Sequence, residues 1–178
     1  SNMNQSVSGA NLVAYYKMSN GSGSTLTDDS GNGHNAELSG SPTWAVDLLP
    51  DYSLQLNGDG QYVNCGSSTD FNFSTALSVE AWIYPTDFKD QEHLNTIVAK
   101  TDWSNEHSYG WTLRYGSDNE TLNFNIGGGG GISWIDCRAE GVLTLNTWQH
   151  VAGTYDGSNI KLYVNGAEVA TTPFAGSI

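Results

Sequence analysis

Bond-breaking chemistry needs nucleophiles or carboxylates in working pairs, and this chain does not space them that way. Glu80 is the only acid in the run Leu77 to Pro85, L-S-V-E-A-W-I-Y-P, and Asp136 and Glu140 straddle the end of another alternating run. A glycosidic bond cleaved with retention calls for two carboxyl groups about 5–5.5 Å apart. Residues four apart on one extended strand stand roughly 13 Å apart and cannot meet that alone. His93, His107 and His150 have no D-x-H or G-x-S-x-G partner. His150, close to Trp148, reads as a structural residue. Cys65 and Cys137 form no C-x-x-C pair and have no histidine at zinc spacing. They are either two free thiols filling small apolar sites or a disulfide closing a long loop, worth roughly 4 kcal/mol. The chain reads as non-enzymatic.

What remains is the chemistry of binding. An aromatic face stacks on the C–H surface of a pyranose, and planar polar groups take its hydroxyls. Six Trp and nine Tyr supply the faces. In Leu77 to Tyr84, side chains alternate. Leu77, Val79, Ala81 and Ile83 take one side, and Ser78, Glu80, Trp82 and Tyr84 take the other. With the first side in the core, Glu80, Trp82, Arg114, Asn123 and Asn125 are expected to line the opposite face. Trp134, Asp136 and Arg138 join the candidate ligand surface, although alternation does not settle their side. Each Trp has the alternative reading of a core residue.

Charge narrows the ligand. Nineteen acids against six bases give a formal charge of −13. Nucleic acid is disfavoured, because its affinity comes from Lys and Arg meeting phosphate. Anionic membrane surfaces and strongly acidic polymers are disfavoured too. Neutral sugars and cations such as Ca²⁺ are compatible, and so is a merely solvated acidic surface. No apolar run approaches the ~20 residues of a membrane span.

These residues must be carried by strands. In Trp148 to Val169, W-Q-H-V-A-G-T-Y-D-G-S-N-I-K-L-Y-V-N-G-A-E-V, period-two alternation is punctuated by D-G and N-G turns. Three consecutive antiparallel strands are expected there, with Asn165-Gly166 in a type I′ turn. Upstream, strands are expected over Leu12 to Met18, Ser53 to Leu56, Tyr62 to Cys65, Leu77 to Pro85, Asn95 to Lys100, Tyr109 to Tyr115, Leu122 to Ile126 and Ile132 to Arg138. Ala36 to Leu38 and Pro42 to Val46 are short extended pieces. Asn57-Gly58-Asp59-Gly60 reads as a hairpin turn. Ser19 to Asn35 is a long polar loop, and Gly127 to Gly131 is a glycine hinge. Trp103 reads as an exposed loop residue. The 178 residues suffice for one domain, 11–178, behind a tag and frayed stretch over 1–10. Ser1-Asn2 ahead of Met3 reads as a cloning remnant. Strands recurring about every ten residues point to an all-β, two-sheet antiparallel sandwich.

W-x-H-V-A-x-T-Y-D-G with L-Y-V-N-G at 148–166, L-N-G-D-G-Q-Y-V at 56–63, and S-V-E-A-W-I at 78–83 together resemble the laminin-G-type, concanavalin A-like jelly rolls of secreted bacterial proteins. The resemblance implies a β-sandwich used chiefly for binding, at the cell surface or outside it. It implies that the turn Asp28-Asp29-Ser30-Gly31-Asn32-Gly33 helps hold a structural Ca²⁺, with Asp28, Asn32 and Gly33 as the metal residues. The glucanases of the same fold carry an E-x-D-x-E-type strand, which this chain lacks. It also lacks the family's final G-x-I-D-E-V-R-I-type run. A truncated chain is therefore expected, with a weakened metal site and an unpaired sheet edge open to homo-oligomer formation. Three functions stay open: a non-catalytic carbohydrate-binding or adhesion module, a structural or protein-interaction spacer, and a glycoside hydrolase or lyase whose acids come from different strands.

Overall fold

A computed structural model describes residues 9, 11–46, 52–88, 95–102, 109–116, 121–127 and 134–178. His93, Trp103, His107, the glycines at 128–131 and nearly all of the expected tag lie outside the described residues. The chain forms two compact units, Ser1–Phe71 and Asn72–Ile178.

In the first unit β1 (Thr25–Leu26), β2 (Ala36–Ser39) and β5 (Tyr62–Asn64) make a three-stranded sheet in the order β1-β2-β5. β3 (Thr43–Val46) pairs with β4 (Tyr52–Gln55). Two expectations are corrected here. Asn57 to Gly60 does not join β4 to β5 as a hairpin: β5 pairs with β2, outside the β3–β4 pair. The turn closes on itself, Asp59 N–H donating to Asn57 Oδ1 and Asn57 N–H to Gln61 Oε1. Leu12 to Met18 is not a strand. Tyr15 N–H donates to the Asp28 side chain and Tyr15 C=O accepts from Asp29 N–H, so a turn takes up the groups that a ladder would use.

The second unit holds two four-stranded antiparallel sheets. One is β10-β9-β8-β7, from β7 (Thr96–Asp102), β8 (Tyr109–Tyr115), β9 (Leu122–Gly127) and β10 (Trp134–Ala139). The other is β13-β12-β11-β6, from β6 (Leu77–Ile83), β11 (Gln149–Tyr155), β12 (Asn159–Val164) and β13 (Ala167–Pro173). The last three strands stand where alternation places them. Asn165 and Gly166 have φ of 50° and 81°, as a type I′ turn requires.

Both sheets give one face to a shared core. Leu113, Phe124, Ile126 and Cys137 come from the first sheet, and Leu77, Val151, Tyr155, Ile160 and Leu162 from the second. Phe124 lies so close over Gly153 of β11 that a Cβ there would stand 2.5 Å from its ring. Glycine is thus required by packing at that point. Phe73, next to the 3-10 turn Thr69–Phe71, packs on Trp111 at a ring distance of 6.3 Å, which anchors the entry to β6.

Candidate functional site

Register fixes which side chains share the outer face of the sheet β10-β9-β8-β7. Directly opposed residues in antiparallel strands project to the same side. Arg114, Asn123 and Arg138 form one row across three strands. Thr112, Asn125 and Asp136 form the next. Gly110, Gly127 and Trp134 form the third. The register settles the side of Trp134, Asp136 and Arg138: all three stand with the asparagines, while Ile135 and Cys137 face the core.

The middle of this face is enclosed although it is polar. Asn123 is 3% exposed and Asn125 2%, with Thr112 buried beside them. Asn125 donates from Nδ2 to Asp136 Oδ1. Its Oδ1 is enclosed and has no hydrogen-bond partner among the described residues, and the same holds for Asn123 Nδ2. Burying an amide group without a partner costs about 1–3 kcal/mol. The fold therefore keeps one unmet acceptor and one unmet donor side by side on a single strand. Arg138 is held by Glu140, Nε to Oε1 at 3.3 Å.

Glu80 and Trp82 do not belong to this face. β6 lies in the other sheet, and both residues point out of its far side, so the expected single surface is two surfaces back to back. Alternation tells which side of its own strand a residue takes but not which sheet the strand joins. On that second face Trp82 stands opposite His150, rings 5.4 Å apart and edge-on, and His150 Nε2 lies 3.4 Å from Glu80 Oε2. Tyr84 and Trp148 continue the aromatic patch at 5.6 Å. Thr112 of the first face was not among the sequence candidates. Its signal was available, since it alternates with the aromatic residues of its strand.

The three acids weighed for hydrolysis, Glu80, Asp136 and Glu140, do not come together as a pair of facing carboxylates. Asp136 and Glu140 share one strand and its end, and Glu80 is on the other sheet. Cys65 and Cys137 are free, and burial pushes both thiols above their ordinary range.

The turn expected to hold Ca²⁺ is built differently. Asp28 Oδ1 accepts from Tyr15 N–H and Ser30 N–H, both at 2.9 Å. Oδ2 accepts from the Ser30 hydroxyl at 2.8 Å and from His34 N–H at 2.9 Å. Asn32 turns its Nδ2 toward the carbonyls of Leu12 and Val13. Gly33, at φ 80°, brings no side chain. Burial pushes the Asp28 carboxyl up, but the hydrogen bonds from Tyr15, Ser30 and His34 outweigh it and hold the group at about 2. Calcium takes six to eight oxygen ligands. Here the one buried carboxylate already faces four donor hydrogens, so a cation would meet their positive ends. No group of three or more His, Cys, Asp or Glu side chains suited to a metal exists among the described residues. The donor set does not fit the ion, and Asp28 is itself the anion at the centre of the turn.

Comparison with known proteins gives the following. The sequence profile of the concanavalin A-like lectin/glucanases superfamily, laminin-G type, matches residues 57–178. No curated protein matches the chain. A domain of an S-layer domain-containing protein of Clostridium thermocellum is similar in structure at a TM-score of 0.52 and 25% identity, covering 89% of this chain and 71% of that one. Domain 4 of an extracellular arabinanase of Geobacillus stearothermophilus, solved with arabinotriose, is similar at 0.55 and 18% identity, covering 85% and 71%. A carbohydrate-binding module of Bacillus subtilis aligns at 0.44 and 14% identity, covering 80% and 81%.

Proposed function

We propose that this chain, which belongs to the concanavalin A-like lectin/glucanases superfamily, is a non-catalytic carbohydrate-binding module of a secreted or cell-surface protein. The observation that carries this reading is the pair of enclosed, unmet amide groups on Asn123 and Asn125. Nearly every buried polar atom finds a partner in a folded protein. Trp111 Nε1, on the core side of β8, is another such atom; the two on Asn123 and Asn125 share one outer face, flanked by Thr112, Asp136, two arginines and an indole, and suit a ligand rich in hydroxyls. A hydroxyl donates and accepts at once, so it meets either atom. Trp134, in the adjoining row of the same face, offers the stacking surface. The similar domains support the setting: one belongs to an S-layer protein, and one to an extracellular arabinanase seen with arabinotriose.

The test is a panel of neutral oligosaccharides from arabinan, xylan, β-glucan, mannan and galactan, titrated calorimetrically. Wild type binds at least one, and Asn125→Ala and Trp134→Ala each weaken that binding by about tenfold or more. No binding to any member at millimolar concentration overturns the reading. Binding that both variants keep places the site elsewhere. Release of reducing ends from the same polymers would instead indicate an enzyme.

A further inference from the structure

Asn125 is an amide with two chemically different ends, and its neighbour decides which end the ligand meets. Asp136 is directly opposite it in the register, and its carboxylate can only accept. The amide nitrogen must therefore turn toward Asp136, as it does. The oxygen is left on the other side, enclosed and unmet. Were the amide to rotate by half a turn, its oxygen would face a carboxylate oxygen, a repulsive contact. Asn123, two residues along the same strand, offers the opposite polarity through Nδ2. The two points lie roughly 7 Å apart, the repeat of alternate residues in a strand. That is on the scale of hydroxyls on opposite sides of one sugar ring or on neighbouring rings.

We infer that Asp136 is the positioning residue that sets the specificity of this face: it fixes Asn125 as an acceptor, so the saccharide must bring an unsubstituted hydroxyl to that point. The inference rests on the saccharide reading above. A sugar methylated or deoxygenated at that hydroxyl leaves the Asn125 oxygen buried and unmet, and is rejected. Sites built around a buried polar partner discriminate strongly against ligands that lack it.

The test compares each neutral trisaccharide that binds wild type with its mono-O-methyl and monodeoxy series, in wild type, Asp136→Ala and Asp136→Asn. In wild type one position of the series costs about tenfold or more in affinity. In Asp136→Ala the amide is free to rotate and its NH₂ can donate to an ether oxygen, so the ratio between parent and mono-O-methyl derivative falls to within about threefold of unity, while the monodeoxy penalty remains because no oxygen is there to meet either end. In the near-isosteric Asp136→Asn the pair can flip together, and the mono-O-methyl ratio falls as well. If Asp136→Ala shows no cooperative melting transition, Asp136→Asn decides. An unchanged mono-O-methyl ratio in a folded variant overturns the inference and leaves the saccharide reading standing. No binding of any oligosaccharide to wild type overturns both. A purely structural role for Asp136 would lower parent and derivative affinities together and leave their ratio as it was.

Discussion

Replacing Asp28 by Asn tests the least expected feature of the first unit. The carboxylate meets four donors from Tyr15, Ser30 and His34. An amide in its place keeps one acceptor oxygen: in one orientation Tyr15 and Ser30 N–H face its NH₂, and in the other His34 N–H does while the Ser30 hydroxyl can turn to accept. Hydrogen bonds to a charged group are worth about 1.5–3 kcal/mol each. The net value of the charge comes from its titration. The carboxyl falls from the ordinary 3.8 to about 2, nearly two units at 1.36 kcal/mol each, or about 2 kcal/mol. An amide forgoes the charge-dependent part of those bonds, so Asp28→Asn should cost at least about 2 kcal/mol. A loss of that size lowers the Tm of the unit that Asp28 braces by at least several degrees. The pH dependence has a definite sign. The folded group is the stronger acid, so its stabilisation is full above about pH 4 and is lost as pH falls through about 2. Differential scanning calorimetry at pH 7, with and without EDTA or excess Ca²⁺, separates the brace from a metal site. The expected outcome is a large drop for Asp28→Asn and no change of more than about 1 °C with either additive. A fall of several degrees in EDTA, or a matching rise with Ca²⁺, would show a bound ion stabilising the native state and refute the geometry.

Three further outcomes follow from the second unit. Gly153→Ala places a Cβ 2.5 Å from the Phe124 ring and should cost about 1–3 kcal/mol by urea denaturation. Phe124→Leu in the same chain should return part of that cost, a coupling that a double-mutant cycle reads directly. Gly166→Ala has open space around it, yet φ of 81° should cost it about 1 kcal/mol in Tm measurements, whatever its effect on binding. Asn123→Leu removes an unmet buried donor, so it should raise Tm by a few degrees while abolishing saccharide binding in the same preparation. A stabilised variant that still binds would separate the amide from the ligand.

Much of the fold was legible because turn chemistry and alternation agree along Trp148 to Val169, and β11, β12 and β13 appear there in order. The misreadings share a cause. Leu12 to Met18 has strand composition, but Tyr15 has its backbone groups satisfied by the Asp28 turn, a pairing that period-two alternation cannot register. The turn at Asn57 to Gly60 has hairpin residues, but β5 finds its partner in β2, across an intervening pair. Local signals report propensity, whereas pairing is decided by what the rest of the chain offers.

The candidate site divides in the same way. Asn123, Asn125 and Arg114 were placed together by alternation because β8 and β9 are sequential neighbours. Glu80 and Trp82 were misassigned because β6 pairs with β11, a partner more than sixty residues away. Even a correct face assignment would have missed the decisive property. A strand reading L-N-F-N-I suggests two asparagines in water, and β9 instead encloses both. Enclosure turns an ordinary polar side into one where a hydroxyl gains about as much as the amide lost on burial. It also makes Asp136 consequential: in water the Asn125 amide would rotate at little cost, whereas inside the face the carboxylate holds it in one sense. Binding selectivity on a sheet face can thus come from a residue that is itself exposed, provided the amide it steers is not.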